Sequence, residues 1–177
     1  MNDPKGTVAK AATLALTPAA TVRDWFNGKD GRPPLFSLTA DDQDAAPGGT
    51  RRLTPATVLA VCICAALTRL GVPLSRAAVA GLTFAHAATG NPPRSAPGAL
   101  YGANKATILT VGPGADGEVR ILPVGTTDGI RLLATIGAGA VVLPLDSIVE
   151  RVRNGLAAQP SPVHRKEPAS GRPARRG

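Results

Sequence analysis

Two cysteines, two histidines and a run of aspartates are the residue types in this 177-residue chain that could do chemistry. Cys62 and Cys64 stand two apart in Val-Cys-Ile-Cys-Ala. On a helix that spacing turns the thiols about 200° away from each other, so they neither clamp one metal nor pair, and buried, reduced thiols acting as small apolar side chains are expected. His86 lies in an Ala-rich segment and His164 near the C-terminus, neither with Cys, Asp or Glu at metal-ligand spacing. Asp41, Asp42 and Asp44 fall in a polar stretch with nothing to fix them or raise a pKa, which reads as a solvated loop rather than an acid-base site. Gly112, Gly114 and Gly117 satisfy the spacing of a dinucleotide loop, but Pro113 intervenes and a strand follows, so a hairpin turn is expected. No nucleophile, base and orienting group come together, and the expectation is a protein that is not an enzyme and uses no cofactor or metal.

The remaining chemistry is electrostatic. Lys and Arg number 20 against 12 Asp and Glu, a formal charge of +8, with a pI near 10.5. That is the footprint of a partner carrying phosphates, or of an anionic membrane surface. Residues 1–90 contribute +3, residues 91–159 contribute +1 and residues 160–177 contribute +4, so half of the charge sits in the C-terminal tail.

The elements that must position these groups follow from periodicity. Residues 7–16 are Ala-rich and helix-favouring, and Thr17-Pro18 reads as a cap followed by proline at the first position of a second helix that ends at Asn27-Gly28. In that helix Val22, Trp25 and Phe26 recur at i, i+3, i+4, a stripe that must dock on a core. Thr17, Ala19, Ala20 and Arg23 are left to face bases or phosphates, because a helix free of bulky apolar groups on its outer face can enter the DNA major groove. Leu35–Leu38 and Thr50–Leu53 read as two short strands of a loose hairpin. Thr54-Pro55 opens a central helix running to Gly71, and a further helix covers about Ser75–Ala88, with Ala78, Val79, Leu82 and Phe84 available for packing.

Residues 90–100, rich in Pro and Gly, read as a linker. Beyond it, Ala106–Val111 and Glu118–Val124 predict a β-hairpin, Asp128–Ile136 is ambiguous between helix and strand, and Ala140–Leu145 predicts a buried strand. Asp146 then reads as the cap of a helix with Ile148, Val149, Val152 and Leu156 on one stripe.

The N-terminal half resembles the MerR-type winged helix-turn-helix family. The residues that carry the likeness are Ala11, Leu16-Thr17-Pro18, Thr21-Val22-Arg23-Asp24-Trp25, Gly49-Thr50-Arg51-Arg52-Leu53-Thr54 and Leu70-Gly71-Val72-Pro73-Leu74. Ala15 stands where the family usually has its turn glycine, and Leu53 where it has a wing tyrosine. The likeness implies that Thr17, Thr21 and Arg23 belong to the DNA-contacting helix, that Arg51 or Arg52 is the wing arginine reaching backbone phosphate, and that Trp25 packs the helix. The long dimerisation helix common in the family has no counterpart, because Gly90–Gly98 breaks the chain and no heptads follow.

The expected fold class is therefore α+β. Residues 1–6 are disordered, a winged helix-turn-helix and its following helix pair span 7–89, and a linker spans 90–100. A small hairpin, strand and helix unit spans 101–158, and a disordered basic tail spans 159–177. A unit of about 58 residues is marginal alone, so it is expected to serve as a homodimerisation or sensor module. The expected function is a sequence-specific regulator that binds double-stranded DNA as a homodimer. A non-enzymatic protein-interaction adaptor on the same scaffold is the alternative. No apolar run approaches the roughly 20 residues of a membrane span, and the N-terminus lacks the pattern of a signal peptide, so a cytoplasmic protein is expected.

Overall fold

The computed structural model describes residues 5–38, 42, 50–102, 104–113, 118–125 and 139–158. Asp41, Asp44, Gly114, Gly117, His164, the ambiguous segment 128–136, residues 1–4 and the tail from 159 lie outside them. The architecture is mixed α+β, and it begins with β1 (Gly6–Thr7), whose first residue, Gly6, falls in the stretch expected to be disordered.

Helix α1 (Val8–Ala15) starts where the Thr7 hydroxyl accepts the Lys10 N–H at 3.1 Å. It ends in a Schellman motif: Thr17 N–H donates to the Ala12 carbonyl and Leu16 N–H to that of Thr13. The left-handed residue is Leu16, at φ 54°. Helix α2 (Ala19–Asn27) follows after a three-residue turn. Its N-cap is Pro18, not Thr17, because the Thr17 hydroxyl donates back to the Ala15 carbonyl.

Strand β2 (Arg52–Leu53) pairs antiparallel with β1, Gly6 facing Leu53 and Thr7 facing Arg52. The hairpin expected between 35–38 and 50–53 is thus replaced by pairing with the N-terminus. Residues 35 and 36 are held elsewhere, both N–H groups donating to the Trp25 carbonyl.

Helix α3 (Pro55–Arg69) is capped as its sequence implies, with Thr54 accepting from Thr57 N–H and proline in the first turn. Asp42 adds to that cap: its carboxylate accepts from Thr54 N–H at 2.6 Å and from the Thr57 hydroxyl at 2.9 Å. This aspartate is buried, so the solvated-loop expectation fails for it. Every residue of α3 from Thr57 to Leu67 is buried, which makes it the central helix.

Helix α4 (Leu74–His86) lies against α3. The approach needs Gly81, where a Cβ would stand 2.5 Å from the Ala60 carbonyl oxygen. Val79, expected to pack, is instead 57% exposed.

Residues 90–100 fold around one side chain. Arg94 is 5% exposed, and its guanidinium donates to the carbonyls of Thr89, Ala99, Phe84 and Ala87 while lying 4.2 Å from the Phe84 ring centroid. Phe84 and Ala87 stand at the end of α4, where carbonyls lack helical partners, so the buried cation and the orphan acceptors satisfy each other. Burial lowers the Arg94 pKa from its usual value, opposed by nearby Tyr101. The Tyr101 hydroxyl in turn shares its one proton between the Pro92 carbonyl and, at 3.3 Å, that of Ile121.

A three-stranded antiparallel sheet completes the chain in the order β4-β3-β5, with β3 (Ala106–Val111) between β4 (Val119–Val124) and β5 (Val141–Pro144). The last helix, α5 (Asp146–Ala157), takes Leu145 as its N-cap. Asp146 sits one position inside and accepts the Thr107 N–H at 2.9 Å, tying α5 to β3 rather than capping it. Helix α5 packs on α3 and α1, Ile148, Val149 and Val152 joining the same core as Leu14, Val58 and Trp25.

Candidate nucleic-acid interface

Helix α2 is two-sided. Val22, Trp25 and Phe26 are buried, and Trp25 and Phe26 both meet Phe36, with centroids 6.2 Å and 5.6 Å apart. These contacts, together with the bonds from residues 35 and 36 to the Trp25 carbonyl, fix the rotation of α2 about its axis. Its outward row is Ala20, Arg23 and Asn27, all exposed, at i, i+3 and i+7.

The expected site residues divide accordingly. Ala20 and Arg23 are on the outward row. Ala19 is three residues before Val22 and packs against the core, so it does not belong to the exposed face. Thr17 and Thr21 are half-buried on the flanks. Arg52 is exposed on β2. Arg51, its neighbour, reaches α2: its Nη1 donates to Asn27 Oδ1 at 3.3 Å, and its guanidinium lies 5.6 Å from the Phe26 ring centroid.

Asn27, Lys29 and Arg32 complete the surface and were not among the expected residues. Asn27 was readable as the i+4 neighbour of Arg23. Lys29 and Arg32 face each other across an isolated bridge just beyond α2, both exposed. The Lys29–Asp24 ion pair, at 3.4 Å with both side chains well exposed, contributes little to stability. The first turn of α2 holds no acidic residue and no side-chain cap, so the positive end of the helix dipole, at Ala19–Thr21, is not offset by a carboxylate of that turn.

Burial pushes the Cys62 and Cys64 thiols up to about 12, and in Cys62 the positive charges of Arg151 and Arg69 oppose that rise. Both are free thiols in the middle of α3. Among the described residues no three His, Cys, Asp or Glu side chains cluster as metal ligands would, and no helix is long and apolar enough to cross a membrane. The chain matches no protein-family model and no curated protein.

Proposed function

We propose that this chain is a sequence-specific regulator that binds double-stranded DNA, with α1, the turn at Leu16–Pro18 and α2 forming a helix-turn-helix. The observation that carries the reading is the two-sidedness of α2. An aromatic and valine stripe clamps one side to the core, while the other side presents Ala20, Arg23 and Asn27, small or polar and exposed, with Arg51 reaching Asn27. A helix so held can lie in the major groove with its outer residues at base edges. The resemblance to the MerR-type family in residues 7–88 supports the same reading, and the basic tail would add sequence-independent phosphate contacts.

Selection of bound sites from random duplex DNA at near-physiological salt tests it. A reproducible motif is expected, and Arg23→Ala should cost about 1–3 kcal/mol of specific affinity without lowering the melting temperature. The proposal includes a homodimer, for which a two-half-site motif and a dimer mass in sedimentation are expected. Sequence-blind binding that disappears on deleting 160–177 would overturn the reading.

One observation favours the adaptor alternative. Leu16 is 67% exposed while held in a left-handed conformation that costs a leucine roughly 1 kcal/mol, the kind of strained apolar projection that protein contacts use. Under that reading Leu16→Gly abolishes a protein contact and DNA selection returns no motif.

A further inference from the structure

We infer that Arg51 is a positioning residue that makes Asn27 a donor-type reader of a guanine edge, and that Arg52 is the phosphate contact of this strand. The inference deepens the DNA-binding reading and rests on it. The two arginines are adjacent in sequence but differently placed. Arg52 is exposed on β2, whereas Arg51 is half-buried, lies over Phe26 and donates to Asn27 Oδ1. Phe26 is itself fixed against Phe36 at 5.6 Å, so the guanidinium rests on a rigid ring. Reaching a phosphate would cost Arg51 these contacts.

The consequence lies in the amide of Asn27. A guanidinium has five N–H donors and no acceptor, so the Asn27 atom facing it is the oxygen, and the NH2 group is turned away. Asn27 is exposed and in line with Arg23, one turn earlier on α2. An asparagine with both groups unengaged reads adenine, donating to N7 and accepting from N6. With its oxygen engaged by Arg51, Asn27 presents N–H groups alone. That pattern suits the N7 and O6 acceptors of guanine and opposes the amino group of adenine.

The test measures affinity of the full chain for its selected site, for single-base variants of that site and across a salt series. Arg52→Ala should weaken binding to all sequences alike and reduce the slope of log K against log salt by about 0.9. Arg51→Lys keeps the charge but loses the planar fork. It should leave the salt slope unchanged and relax the preference at one G·C pair, removing a discrimination of roughly 5- to 150-fold. Asn27→Ala should relax the same position, with the double variant no worse than either single one. Replacing that guanine by 7-deazaguanine should weaken the wild type and leave Asn27→Ala unaffected.

Asn27 is exposed, so its variant reports even if an Arg51 variant fails to fold. In the free protein, Arg51→Lys should also shift the Asn27 side-chain amide resonances. If Arg51→Lys behaves as wild type while Arg51→Ala lowers the salt slope with site preference intact, Arg51 is a phosphate contact and the inference falls alone. If the wild type selects no sequence, the inference falls together with the DNA-binding reading.

Discussion

Leu16 and Gly71 occupy the same position in two copies of one motif. After α3, Val72 N–H donates to the Leu67 carbonyl and Gly71 N–H to that of Thr68, with Gly71 at φ 87°. After α1 the same bonds form around a leucine. Leu16→Gly should therefore raise stability by about 0.5–1 kcal/mol, part of the relieved strain being offset by the greater freedom of glycine in the unfolded chain, as a urea titration would measure. The cysteines make a second prediction at this scale. An unfolded thiol ionises near pH 9, while burial holds both native thiols protonated up to about 12. Their protonated burial costs nothing below pH 9, and stability falls as pH rises from 9 towards 12, where the unfolded state alone releases protons. The Cys62→Ala, Cys64→Ala double variant should lose part of that alkaline slope, compared at pH 8 and 10.5 by urea midpoint.

At the scale of elements, register decides what the small sheet can pair with. Gly112 N–H donates to the Glu118 carbonyl, so even-numbered residues of β3 bond β4, and Leu145 N–H donates to the Thr107 carbonyl, so odd-numbered ones bond β5. The outward-pointing residues are then 119, 121 and 123 on β4, and 142 and 144 on β5. Two of these are Pro123 and Pro144, which have no N–H to offer, and the Ile121 carbonyl is already taken by Asn91 N–H at 3.1 Å and by Tyr101. Each edge thus lacks a donor at its proline, a gap that opposes strand addition. Pro123→Val with Pro144→Val should produce concentration-dependent species larger than those of the wild type in size-exclusion chromatography. The start of α3 was legible because Thr54 caps it locally, three residues from the N–H it accepts. Others were not, because the same residue types turn elsewhere: the Thr17 hydroxyl turns back to Ala15, and at longer range Asp146 binds Thr107 and Asp42 caps a helix twelve residues on.

For the molecule as a whole, the apolar stripe of α5 was visible in the sequence, but its destination was not. Periodicity shows that a helix must dock, not upon what. Ile148, Val149 and Val152 are buried in a cluster shared with α1 and α3, and each contributes roughly 1.5–3 kcal/mol. Their sum is comparable with the about 5–15 kcal/mol that holds a domain together. A fragment ending at residue 100 is therefore expected to show no cooperative melting transition, and the full chain a single one by calorimetry. On the candidate face the stripe of α2 could be read directly, which is why Arg23 and Ala20 were expected to face outward, where both are exposed. Ala19 was misassigned because the stripe continues one turn earlier than its large residues suggest.

Arg94 bears on where this protein can be edited. By composition, residues 90–100 are the natural place to splice in a reporter domain or to open the chain for permutation. The guanidinium, however, gathers carbonyls from residues 84, 87, 89 and 99 around itself, so the segment behaves as a fixed-length clasp. Four Gly-Ser residues inserted between Thr89 and Arg94 would part the clasp and leave a charge buried without its acceptors, whereas a graft beyond residue 158 leaves it closed.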